Sequence, residues 1–193
     1  FKGVERILKF CNLDHLIFTC DMREIALKLN NLKKWLRNAF IDKWKKDKVE
    51  LMKVNTRLEL LINTKDKFET STYLNSIKVP TYRIALSKLR LSAHRLPIET
   101  GRYDQISRWE RLCPFGCNQV GDEQHYFLYC KHPFLQELIN PFERHVARII
   151  LGWRGLEDNK KLLTLLKASS DEVQMHLGKF AHKIFKIFKD LTA

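Results

Sequence analysis

The chain has 193 residues, with 35 lysines and arginines against 22 aspartates and glutamates and a formal net charge of +13. At 45% hydrophobic and 30% charged it is built to bury the core of one ordinary domain or two small ones, which excludes a disordered chain, and no segment approaches the ~20 apolar residues of a membrane span. Seven glycines and five prolines are too few turn residues for a many-hairpinned β architecture and make no phosphate loop, so a helix-dominated basic protein with an anionic partner remains.

In chain order, residues 1–20 read as one or two short apolar helices, with Cys11 and Cys20 as inert core thiols. Asp21 reads as the N-cap of a helix reaching about residue 50, where Met22, Ile25, Leu29, Leu32, Leu36, Phe40 and Trp44 recur at three- and four-residue steps. From Lys28 to Lys53 this helix carries nine basic and three acidic residues. A helix pair is predicted near residues 57–62 and 68–77, closed by Pro80. Residues 81–96 are helical by pattern: Tyr82, Ala85, Leu86, Leu89 and Ala93 make the apolar stripe, and Arg83, Ser87, Arg90 and His94 share the opposite face. Pro97 stops that helix, and residues 98–112 lead on as a loop or short helix. Pro133 and Pro141 punctuate two helices, 134–139 and 142–151, and a loop at Gly152–Gly155 precedes a helix over 157–168. Ser169 and Glu172 form a capping box for the last helix, whose apolar face runs from Val173 to Leu191 with Lys179, His182, Lys183, Lys186 and Lys189 opposite. That lysine face reads as an ordinary solvated surface, as a phosphate-contacting face, or as an amphipathic membrane-surface face.

The remaining three cysteines crowd together in Cys113-Pro-Phe-Gly-Cys117, followed by His125 and Cys130, a Cys-x3-Cys-x7-His-x4-Cys spacing. Zinc takes four thiolate and imidazole ligands in a closed tetrahedral site, so this set reads as one structural Zn2+ in a small loop-helix insert. Gly116 permits the tight turn between the first two thiols, and the helix carrying His125 is expected to begin near Asp122 and fray at Cys130. His132 is the alternative imidazole. The expected fold is therefore mainly α, a bundle-like helical body with this insert. Five cysteines in a lysine-rich chain suit a reducing, intracellular setting (nuclear or cytoplasmic) better than a disulfide framework.

Between Arg83 and Cys130 the words Lys88-Leu-Arg-Leu-Ser-Ala-His-Arg-Leu-Pro-Ile-Glu-Thr-Gly-Arg-Tyr103, Glu110-Arg-Leu-Cys113 and Gly121-Asp-Glu-Gln-His125-Tyr-Phe-Leu-Tyr-Cys130 resemble the C-terminal region of non-LTR (LINE-type) retrotransposon reverse transcriptases. About a quarter of the chain carries the resemblance, and the four candidate ligands fall on that family's knuckle. The resemblance implies a basic helical part resembling a thumb or linker over 1–97, the knuckle over 98–133 and C-terminal helices over 134–193, all belonging to a longer polymerase; the opening Phe1 suits such a piece. The paired aspartates of a polymerase are missing, since the chain has no Asp-Asp dipeptide, and no spaced acidic nuclease set follows Cys130. The implied role is non-catalytic: holding template RNA or target DNA beside the rest of the polymerase, which would itself be an RNA-directed DNA polymerase.

The residues expected at nucleic acid are Arg83, Arg90, His94, Arg95, Arg102, Arg108, Lys183 and Lys186, with Tyr126, Phe127 and Tyr129 either stacking on bases or filling the knuckle's core. The alternative is a zinc-stapled scaffold that docks a polymerase or host partner through Trp35, Trp44, Trp109 and Trp153. No Ser-His-Asp order, paired-carboxylate motif or His-Glu-x-x-His is present, and oligomeric state is left open.

Overall fold

The computed structural model describes residues 5–6, 9, 29–54 and 58–191, and the molecule is mainly helical over these. The chain divides into two units, residues 1–56 and 57–193, rather than at 97 and 133. In the first unit, α1 (Leu29–Val54) turns Lys33, Lys34, Arg37, Lys45 and Lys46 outward, so its basic pattern is a solvated one. The expected Asp21 cap, and Cys11 and Cys20, lie outside the described residues.

The second unit is built from α2 (Glu59–Thr64), α3 (Tyr73–Ser76), α4 (Pro80–Arg90), α5 (Pro97–Tyr103), α6 (Pro133–Ile149), α7 (Asp158–Lys167) and α8 (Asp171–Leu191). Among the described residues there is no strand, only a single antiparallel bridge between Leu112 and Val120. One hydrophobic core runs through the unit, from Leu86 and Leu89 of α4 through Tyr126 and Phe127 to Phe180, Ile184 and Phe188 of α8. The knuckle and the terminal helices share this core.

Prolines act here as starters. Pro80, Pro97 and Pro133 each stand in the first turn of a helix, where a missing N–H costs nothing and the fixed φ is already helical. Pro141, expected to separate two helices, lies inside α6 instead. The buried residues Leu135, Ile139, Phe142 and Val146 continue in step across it, and burying that stripe outweighs one lost backbone bond. Residues 68–77 yield only the single turn of α3; the Lys65 ammonium donates to the Glu69 carbonyl and Ser71 Oγ, holding the segment in a loop.

The cap of α8 is Ser170 rather than Ser169, its Oγ accepting the Val173 N–H at 3.4 Å. The end of α4 also moves, to Arg90 rather than residue 96. Ser92 adopts φ +47°, the Ala93 N–H donates to the Lys88 carbonyl at 2.8 Å and the Ser92 N–H to Leu89 at 3.2 Å, a Schellman closure with serine in the left-handed position. His94 therefore stands in a loop and shares no helical face with Arg83 and Arg90.

α8 packs most extensively on α4, and Gly178 makes the approach possible: a Cβ there would meet the Tyr82 carbonyl oxygen at 2.8 Å. No helix among the described residues is long and apolar enough to cross a membrane.

Candidate metal centre

The Leu112–Val120 bridge closes a short loop. The Cys113 N–H donates to the Gln119 carbonyl and the Gly121 N–H to Arg111, both at 2.8 Å, so the chain reverses between Cys113 and Val120. Gly116 at φ +78° makes the turn that returns Cys117 toward Cys113. Asp122 then caps a short helix, its Oδ1 accepting the His125 N–H at 2.8 Å. The helix ends in a π turn over His125–Tyr129, where the Cys130 N–H donates to the His125 carbonyl five residues back at 2.7 Å. Widening the turn by one residue lays Cys130 over His125, which an α-helical turn of 3.6 residues would not do. The fifth-residue spacing of this pair thus has a backbone cause.

One ligand atom from each of Cys113, Cys117, His125 and Cys130 lies within 4.8 Å of all the others. Cys130 Sγ is 3.6 Å from Cys117 Sγ and 4.0 Å from Cys113 Sγ, far beyond a disulfide bond. Metal–sulfur bonds of ~2.3 Å in a tetrahedron separate two sulfurs by ~3.8 Å, between the two observed values. His125 Nε2 is buried and makes no hydrogen bond, an unpaired polar atom that a metal ion or an imidazole-bound water would satisfy. His132, the alternative imidazole, is outside the cluster and lies against Phe115 at a ring separation of 4.7 Å. The four residues fit a bound metal ion.

The electrostatics agree. Burial pushes the Cys117 thiol up, but hydrogen bonds from Cys130, from the Lys131 and His132 backbone and from Cys113 outweigh it and leave it below the ordinary thiol range. Burial pushes Cys130 up to about 12. Without a cation the sulfurs therefore cannot all carry charge, and metal binding would release protons. Burial also lowers His125, which keeps the imidazole neutral and able to ligate. With four protein ligands the site has no open position for a substrate or a reactive water.

The centre is braced from outside. The His94 side chain is fully buried, stacked on Phe185 at 5.0 Å, and its Nε2 hydrogen-bonds Glu123 Oε1 at 3.0 Å. Ser92 Oγ donates to the same oxygen at 3.0 Å, so Glu123 ties the end of α4 to the helix that carries His125. Tyr126 meets Phe188 at 4.5 Å and Phe127 meets Phe180 at 5.2 Å, while Tyr129 Oη donates to the Asp158 carbonyl at 2.9 Å. Tyr126 and Phe127 are core residues and offer no ring to a base, and the Tyr129 hydroxyl is tied to α7.

The residues expected at nucleic acid separate into two groups. Arg90 is only 8% exposed: its guanidinium donates to the Leu166 carbonyl and to Gln174 Oε1 at 3.2 Å, and lies 4.8 Å from the Tyr73 ring. Gln174 Nε2 donates to Leu165 and Ala168, so the buried pair satisfies the open carbonyls at the C-terminus of α7. Arg83 is half-buried, its guanidinium reaching the Leu74 and Ile77 carbonyls at the end of α3. Arg83 and Arg90 thus meet orphan carbonyls at helix ends, and His94 meets the Glu123 carboxylate. Arg95, Arg102, Arg108, Lys183 and Lys186 are exposed. Lys186 lines a groove of about 1090 Å³ together with Lys88 and Arg95, whereas Lys183 lines a different, smaller hollow. Trp153 is buried, whereas Tyr103 and Trp109 are 77% and 75% exposed. Tyr103 has no helical-face signal, and only its position beside Arg102 marks it in the sequence.

No family model, curated protein or solved structure matches this chain.

Proposed function

We propose that the chain is a zinc-stapled, nucleic-acid-binding module without catalytic activity of its own, the accessory region of a non-LTR-type reverse transcriptase that its Arg83–Cys130 words resemble. The observation that carries this is the closed Cys3His cluster, whose soft thiolates and single imidazole suit Zn2+ above oxygen-seeking ions. Cys113, Cys117, His125 and Cys130 would hold the ion, which supplies folding free energy rather than a reactive water.

The binding surface consists of what stays outside. Lys88, Arg95 and Lys186 line the groove beside α4 and α8, and Arg102 and Arg108 flank the exposed rings of Tyr103 and Trp109. The 3-10 turn carrying Arg108 and Trp109 packs on α5, held by Arg111, which donates to Ile98 and Ile106 carbonyls. Basic side chains that neutralise phosphates and aromatic rings that accept unpaired bases are the two requirements of single-strand binding. The same exposed rings favour a second reading, in which they dock a protein partner.

Fluorescence anisotropy with short RNA and DNA strands at two salt concentrations separates these readings. Binding that weakens steeply with salt, and weakens further in a Tyr103→Ala/Trp109→Ala variant, supports the nucleic-acid role. Binding no tighter than that of a charge-matched peptide leaves docking as the function of the surface.

A further inference from the structure

A second cluster of ligand-type side chains lies away from the cysteines. Glu172 and His176 stand four residues apart on α8, hence on one face, and His145 comes to meet them from α6. One ligand atom from each of the three lies within 4.8 Å of the others. The imidazoles of His145 and His176 are 3.7 Å apart at their ring centres. His145 Nε2 is 3.3 Å from Glu172 Oε1 and is buried, yet makes no hydrogen bond. Nitrogen and oxygen ligands at ~2.0–2.1 Å from one tetrahedral ion are ~3.3 Å apart, so the two atoms have the separation of co-ligands. We propose that His145, Glu172 and His176 form a second, open transition-metal site that takes Zn2+ or a similar divalent ion and ties α6 to the first turns of α8.

The donor set chooses the class of ion. Two imidazoles and one carboxylate suit zinc, nickel or copper and are poor ligands for magnesium or calcium, which require oxygens. Three protein ligands leave at least one position for water or an anion, unlike the closed cysteine centre. His145 and His176 line a hollow of about 280 Å³ shared with Arg148, Lys179 and Lys183. Those positive charges oppose a cation, so this site binds more weakly than the thiolate centre and exchanges its ion faster.

Cobalt distinguishes the two sites, because only the cysteine centre gives thiolate-to-cobalt charge-transfer absorption. The full chain, reduced and metal-free, is titrated with Co2+ and its content measured after dialysis. Two equivalents are expected: the first with charge transfer, the second with d–d absorption alone and removed first by a weak chelator. His176→Gln and the more exposed Glu172→Gln should lose the second equivalent and keep the first, whose charge-transfer band also reports that the fold is intact. A single equivalent in the parent chain, or a second equivalent that persists in a His145→Gln/His176→Gln chain, overturns the proposal.

Discussion

Arg90 and Arg108 carry the same charge, and the difference between them lies in what surrounds each guanidinium. Arg90 is buried against the C-terminal carbonyls of α7, whereas Arg108 stands on an exposed turn. Replacing Arg90 by methionine keeps the volume but leaves the Leu166 carbonyl and the Gln174 amide short of a partner. The expected cost is about 1–3 kcal/mol in denaturant unfolding, with no selective loss of nucleic-acid affinity in the folded fraction. Arg108→Ala should do the reverse, changing stability by less than about 0.5 kcal/mol while weakening binding. At the metal centre Cys130 is the sulfur shared by both short contacts. Cys130→Ser is therefore expected to release the ion, and structural zinc supplies on the order of 10 kcal/mol in small domains, more than most folds possess. Metal content by elemental analysis and helicity on chelation should fall together, and helicity retained without metal would argue that the packed core alone suffices.

At the scale of elements, the helices that were legible are those whose apolar face is long and regular. The stripes of α4, α7 and α8 each bury residues at three- and four-residue steps, a signal contained within a few turns. Their ends were less legible. Ser92 closes α4 early because its hydroxyl is met by Glu123, 31 residues onward, and no local rule marks serine for a left-handed position. Pro141 is carried within α6 because the core rewards an unbroken face. Gly178 supplies a test in which helix propensity and packing disagree. Alanine is the better helix former by about 1 kcal/mol, yet its methyl would press on the Tyr82 carbonyl at 2.8 Å. Gly178→Ala is expected to destabilise by about 1–3 kcal/mol, read as a lower midpoint in urea; an unchanged or higher midpoint would show that α4 and α8 separate freely.

For the whole molecule, the net charge of +13 mixes two populations. Some cations are internal fastenings, as with Arg90 and Arg83, while others lie outward on the groove walls and on the turn after α5. Counterion release counts only the second population. Lys186→Ala is therefore expected to lower the slope of log affinity against log salt by about one, with the Arg90→Met slope unchanged. Equal effects from both would mean that the charge acts as a diffuse cloud and not through the groove.

The helical class, the apolar faces of the longer helices and the Cys3His grouping are readable along the chain, since each is written in spacings of a few residues. Even there, the π turn that aligns His125 with Cys130 was visible only as an expected fraying. Tertiary structure alone decided which side of each polar residue is the inside. Arg90 is committed by a carbonyl 76 residues away and His94 by Glu123 across 29 residues. A charged side chain carries no local mark of its partner. Whether it grips a ligand or closes a helix end depends on which unpaired carbonyl, carboxylate or imidazole the fold brings within 3 Å, and that is settled only when the core has packed.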